Sequence, residues 1–206
     1  TIAISEPVFK HLIHDFGVKK YHVRLIPNGV DTKRFSESIQ PSILDKLRQR
    51  FEILEEAPVI GTVSRLVATK GVDRLVRSLP RIRVGVPNAQ VMIVGDGERK
   101  RSLQQLAKEQ GVDHAVHFTG ALNEPQLALP LMDVFVFLPG KDEGFGLTLL
   151  EAMASSRPIV AVRQGVGASW VLGKIDAVRT VSPDADEIAD AVIGLLRYPD
   201  AAKLLG

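Results

Sequence analysis

The spacing of apolar and polar positions changes character near Pro58. Beyond it, apolar runs at 59–63, 90–94, 116–118, 134–138, 158–162 and 178–181 predict strands. Between them, stretches with helical periodicity at 70–84, 98–110, 124–132, 146–156, 167–173 and 185–197 predict helices. Strands alternating with helices predict an α/β domain with a mainly six-stranded parallel sheet covered on both faces. Pro80 is expected to kink or shorten the first of these helices, and Pro130 to do the same near the end of the third. Upstream the pattern differs. Residues 1–20 read as a short strand or loop followed by a helix from Glu6 to Asp15, with Pro7 suited to its first turn. His22–Ile26 alternates like a strand, Pro27-Asn28-Gly29 marks a turn, and an amphipathic helix around 43–51 leads into the main domain.

One stretch concentrates the chemistry. The strand at 134–138 runs into Pro139-Gly140 and then into Lys141-Asp142-Glu143-Gly144-Phe145-Gly146-Leu147-Thr148-Leu149-Leu150-Glu151-Ala152. A strand ends there, a glycine-rich turn follows, and a helix begins near Gly146. Backbone N–H groups left free at a helix N-terminus suit a phosphate or another anion. Glu143 lies in the turn and Glu151 in the helix. At roughly 1.5 Å rise per helical residue they stand about 10 Å apart, enough to hold the two ends of a nucleotide sugar. That separation fits poorly with an acid/base pair acting across one bond. It fits two carboxylates accepting hydrogen bonds from hydroxyl pairs. Glu151 sits among Leu147, Leu150, Met153 and Ala154 and needs a partner, and a plain pairing with Arg65 or Lys70 is the alternative.

The loop after the first strand of the main domain carries Arg65 and Lys70, five residues apart, before a helix. A forked guanidinium and a point-charge ammonium suit a diphosphate, although solvated surface cations are the commoner fate of such residues. In an open parallel sheet ligands bind beyond the carboxyl ends of the strands, where all these residues fall. Gly95-Asp96-Gly97 lacks the third glycine of a dinucleotide fingerprint, Lys100 standing there, and reads as a tight turn that admits a ligand or a neighbouring loop. Phe118–Leu122 offers backbone groups to a flat base or makes a plain turn. Asp184 and Asp186 have the spacing of a metal-binding pair, but they follow Pro183 and open a helix, which favours capping. His11 with His14, and His114 with His117, have no third ligand nearby. There is no nucleophile elbow and no P-loop lysine motif.

Composition narrows the field. The chain has 206 residues with 45% apolar and 24% charged residues, enough for one large soluble α/β domain. A net charge of +2 gives no footprint for nucleic acid and leaves room for mild attraction to anionic ligands or lipids. The absence of cysteine removes disulfides and thiolate metal sites and fits the cytoplasm. No apolar run approaches the roughly 18 residues of a membrane span. The chain begins at Thr1, and Lys203-Leu204-Leu205-Gly206 looks like an interrupted helix, so it reads as a piece of a longer protein.

Taken together, Glu143 and Glu151 with seven residues between them, Gly144-Phe145-Gly146-Leu147 inside, Arg65 and Lys70-Gly71 upstream, and Pro27-Asn28-Gly29-Val30-Asp31 with Phe35 resemble retaining, nucleotide-sugar-dependent glycosyltransferases of family 4. The similarity covers roughly residues 20–200. It implies one half of a GT-B fold, a Rossmann-like three-layer sandwich. Residues 1–30 would be the tail of an N-terminal domain and the crossover, and 31–206 the nucleotide-sugar-binding C-terminal domain. The resemblance implies that Arg65 and Lys70 bind the donor diphosphate and that Glu143 holds sugar hydroxyls and steers the anomeric carbon. Gly144, Phe145, Gly146 and Leu147 would line phosphate and sugar, Glu151 would hold the ribose diol, and Leu122 would face the base. It implies no metal or other cofactor, a UDP- or GDP-linked hexose donor, and an acceptor glycan or lipid bound by the N-terminal domain. The setting would be polysaccharide, lipopolysaccharide or glycolipid synthesis, in the cytoplasm or at the inner face of the membrane, with room for peripheral membrane association. Ser169 and Ala177 depart from the family, standing where it carries a glutamate and a glycine. A nucleotide-sugar epimerase on the same fold and a non-catalytic nucleotide-binding module are the rival readings.

Overall fold

The computed structural model describes residues 1–173 and 178–198. Ala177 and the 203–206 segment, both singled out above, lie outside them. The chain opens with β1 (Ile2–Ala3), α1 (Glu6–His14) and β2 (Arg24–Leu25); β1 and β2 pair in parallel as a small sheet of their own. The connection into the main body holds α2 (Thr32–Ser36) and α3 (Pro41–Arg50). Then come β3 (Val59–Val63), α4 (Val72–Gly85), β4 (Gln90–Val94), α5 (Lys100–Glu109), β5 (Val116–Gly120) and β6 (Val134–Phe137). The rest is α6 (Leu147–Ala154), β7 (Ile159–Val162), α7 (Val166–Leu172), β8 (Arg179–Val181) and α8 (Ala185–Arg197).

The main sheet is six-stranded and parallel, in the order β5-β4-β3-β6-β7-β8. Alternation to two buried faces explains why its inner strands are mainly apolar, while the edge strands β5 and β8 carry polar residues. Ile60, Val91, Val134, Val136 and Val160 point into one core with α4, α5 and α8, while Val59, Met92, Phe135 and Ile159 point into a second core with α2, α6 and α7. Both faces are therefore buried, and the domain has the three layers expected of a Rossmann-like α/β fold.

Pro80 does not shorten its helix, and the helix expected at 124–132 is corrected. α4 runs through Pro80 to Gly85. The ring removes one helical hydrogen bond, but Leu75, Val76, Leu79 and Ile82 are fully buried, and their packing outweighs a penalty of about 3 kcal/mol. The stretch 124–132 forms no α-helix; it holds 3-10 turns at Pro125–Leu127 and Leu129–Leu131. Each begins at a proline-bearing turn, and Leu129 and Leu131 are buried without a continuous helical face. Asp184 caps α8, accepting from the N–H groups of Asp186 and Glu187 at 2.9 and 3.0 Å. Such a cap stabilises a helix by about 1 kcal/mol, which accounts for the acidic pair structurally.

The strand order places the site. The chain winds outward from β3 to β5, returns to lay β6 beside β3, and winds the other way to β8. The helix after β3 packs on one face and the helix after β6 on the other. Their loops diverge and leave a crevice at the carboxyl ends of β3 and β6, the switch point where open α/β sheets bind ligands.

Candidate functional site

A cleft of about 320 Å³ occupies this crevice. Arg65 and Lys70 line it from the loop after β3; Leu138, Pro139, Glu143, Gly144, Phe145, Gly146 and Leu147 line it from the loop after β6. The two loops are locked together, because a Cβ on Gly140 would stand only 2.0 Å from the Thr69 carbonyl oxygen. Gly146 adopts the left-handed conformation at φ 92° immediately before α6, and its missing side chain makes room for the Phe137 ring. No side chain caps α6, and Gly146, Leu147 and Thr148 at its start line the cleft, so its first N–H groups are left for another partner.

Lys70 and Glu143 meet directly: the ammonium contacts Glu143 Oε2, and the two side chains are 26% and 13% exposed. Glu143 Oε1 accepts from the Phe145 N–H at 3.3 Å, so both carboxylate oxygens are held. Arg65 is exposed and has no hydrogen-bond or ion-pair partner among the described residues. The site thus presents one uncommitted cation, one cation shared with a carboxylate, and a helix N-terminus. That arrangement holds an anion of two or more charges and offers a carboxylate to hydroxyl groups beside it.

Two neighbouring segments brace the loop. The Ser5 hydroxyl, buried at the N-terminus of α1, donates to the Gly144 carbonyl at 2.9 Å. Gly167, in α7, donates its N–H to the Glu143 carbonyl at 3.0 Å. Gly95 and Gly97 play the second of the roles foreseen for them: added Cβ atoms would stand 1.8 and 2.5 Å from the Ser64 and Leu66 carbonyl oxygens, so the turn admits the loop after β3.

Ile4, Asn28, Thr62, Ser64 and Thr148 also line the cleft, although none was a candidate site residue from the sequence. Asn28 belongs to a turn motif and Thr148 to the helix start, but only the strand order brings them to one place. The Ser64 hydroxyl is buried without a hydrogen-bond partner.

Glu151 and Leu122 lie outside the lining of this cleft. Leu122 packs against the second core with Leu150 and Met153. Glu151 is half-buried and pairs with neither Arg65 nor Lys70; burial pushes its carboxyl above the usual range, and Arg34 nearby opposes that shift. The linkage has a definite sign. A carboxyl whose folded pKa is raised costs stability once ionised, and that cost disappears as falling pH protonates it. Glu151→Gln is therefore expected to raise the melting temperature at pH 7, with the gain vanishing below about pH 4, where an ordinary glutamate is also protonated in the unfolded chain. Equal gains at both pH values would contradict this assignment. Ser169 sits in α7, away from the cleft lining.

Comparisons with known proteins identify the family. The family model described as "Glycosyl transferases group 1" matches residues 57–198. A GDP-mannose-dependent alpha-(1-6)-phosphatidylinositol monomannoside mannosyltransferase of Mycolicibacterium smegmatis is 37% identical over 190 residues, covering 88% of this chain and 49% of that protein. The chain spans about half the length of the curated relatives it matches. Among solved structures, Anabaena HepE in complex with UDP and glucose superposes with a TM-score of 0.86 at 22% identity, covering 99% of this chain and 55% of that one. The C-terminal domain of a glycosyl transferase group 1 family protein (LpcC) from Francisella tularensis superposes with a TM-score of 0.69 at 25% identity, covering 86% of this chain and 92% of that one. The chain belongs to the group 1 glycosyl transferases and has the fold of their C-terminal domain.

Proposed function

We propose that this chain is the donor-binding half of a two-domain glycosyltransferase that moves a hexose, with retention, from a nucleoside-diphosphate sugar to a lipid or glycan acceptor. The observation that carries the reading is the convergence of Arg65, Lys70, Glu143 and the start of α6 on one cleft at the switch point. Arg65, Lys70 and the N–H groups at the start of α6 hold the diphosphate and stabilise charge that develops on it as the glycosidic bond breaks. Glu143 accepts from sugar hydroxyls and sets the approach of the anomeric carbon. Glu151 is assigned to the ribose diol and Leu122 to the base, both beyond the lining of the cleft itself. No metal is needed, because two cations and a helix end supply the positive charge.

The donor is first assigned as GDP-mannose, since the mycobacterial relatives are GDP-mannose-dependent mannosyltransferases acting on a phosphatidylinositol glycolipid. The acceptor binds to the other domain, of which residues 1–30 are the tail. Among the described residues no helix is long and apolar enough to cross a membrane. Contact with a lipid acceptor is assigned to peripheral association at the cytoplasmic face. Calorimetric titration of the 206-residue chain with GDP-, UDP- and ADP-sugars tests the reading. Binding of GDP-mannose without detectable transfer is expected. Transfer by this chain alone would contradict the assignment as a donor-binding half, and binding of none would remove the donor reading.

A further inference from the structure

The ion pair inside the cleft bears on a question that donor binding alone leaves open: how the site tells a sugar donor from the bare nucleoside diphosphate left after transfer. Lys70 is not a waiting cation. Its ammonium is bound to Glu143 Oε2, while Glu143 Oε1 is fixed by the Phe145 N–H. The pair spans the crevice between the loop after β3 and the loop after β6, and both side chains line the same cleft as Arg65. A diphosphate entering this cleft must compete with a carboxylate for Lys70. It must also settle beside that carboxylate in a partly desolvated site, where like charges repel far more strongly than in water.

The two ligands meet this obstacle differently. A sugar esterified to the terminal phosphate removes one ionisable oxygen and brings hydroxyl donors. An ionised carboxylate can only accept hydrogen bonds, so those hydroxyls satisfy Glu143 once Lys70 turns to the phosphates. A bare nucleoside diphosphate carries one more ionisable oxygen and no donor at that end. It leaves Glu143 facing negative charge with nothing to accept from.

We propose, resting on the donor-binding reading above, that Glu143 is a selectivity residue that disfavours the nucleoside diphosphate product relative to the sugar donor. Its pairing with Lys70 re-forms as the product leaves. Glu143 thus acts twice on the same cleft, holding sugar hydroxyls before transfer and competing with phosphate for Lys70 afterwards.

The test is a pair of titrations, with GDP and with GDP-mannose, on the wild-type chain and on Glu143→Gln. The amide keeps the shape and removes the charge; melting temperatures establish that the variant is folded, and Glu143→Ala serves as a second variant with the same expected direction. GDP is expected to bind about tenfold more tightly to the variant, because a like charge has been removed from beside it. GDP-mannose is expected to gain nothing or to weaken, so the ratio of the two affinities reverses toward product. In a Lys70→Met background the gain for GDP is expected to shrink, since the competition for the ammonium is gone. GDP affinity that is unchanged or weaker in Glu143→Gln overturns the proposal while leaving donor binding intact. Failure of the wild-type chain to bind any nucleotide overturns the donor-binding reading, and the proposal with it.

Discussion

Replacing Lys70 with alanine is expected to lower sugar transfer by the two-domain enzyme about 100- to 1,000-fold, the scale of removing one preorganised charge-stabilising donor. Lys70 lies in the cleft at the end of the 68–70 turn, where its ammonium is paired with Glu143. Breaking the glycosidic bond moves charge onto the leaving diphosphate. An ammonium already in place meets that charge without reorganisation. The substitution carries a second, separable effect. It leaves the Glu143 carboxylate without its cation in a partly buried site, which destabilises the fold. The double variant Lys70→Ala with Glu143→Gln is therefore expected to recover the lost stability and none of the lost transfer. Urea melts alongside kcat/KM measurements separate the two effects. Retention of wild-type transfer in Lys70→Ala would remove the lysine from the mechanism.

Gly167→Ala is expected to be the most damaging single-methyl substitution at the site. An added Cβ would lie 1.7 Å from the Gly144 carbonyl oxygen and 2.1 Å from its carbonyl carbon. Neither can move freely. The Gly144 carbonyl accepts from Ser5, and the Glu143 carbonyl accepts from the Gly167 N–H. Overpacking of this kind costs about 3 kcal/mol. For a chain of this size that corresponds to a melting temperature lower by roughly 6–12 °C. The backbone displaced is the turn that leads into α6, so donor affinity is expected to fall at least tenfold in whatever fraction remains folded. Thermal melts and donor titration check both parts; wild-type values for both would show that α7 does not brace the turn.

Much of this was legible in the sequence for identifiable reasons. Strands buried on both faces announce themselves as apolar runs, and the runs at 59–63 and 90–94 coincide with β3 and β4. The start of α6 was marked by glycines and by the change of period after Gly146. Arg65, Lys70 and Glu143 could be suspected because each follows a strand, and parallel sheets gather strand ends on one side. Their order in space could not be read, because it depends on β6 returning beside β3. For the same reason the partner of Lys70 was hidden: it lies 73 positions away. A carboxylate on an apolar helix face suggested that Glu151 would pair with Arg65 or Lys70, yet Glu143 takes Lys70, and the half-buried Glu151 has Arg34 as its neighbouring cation. Local rules failed in both directions at the prolines. Pro80 was overruled by four buried neighbours, whereas Pro125 and Pro130 together prevented a helix whose apolar spacing looked adequate.

A crystal of this chain soaked with GDP-mannose shows directly whether the crevice between β3 and β6 grips a nucleoside diphosphate. The diphosphate is expected between Arg65, Lys70 and the N–H groups at the start of α6, with Glu143 turned from Lys70 toward the sugar hydroxyls. A nucleotide bound elsewhere on the chain, or a diphosphate in this crevice touching neither Arg65 nor Lys70, would contradict that expectation.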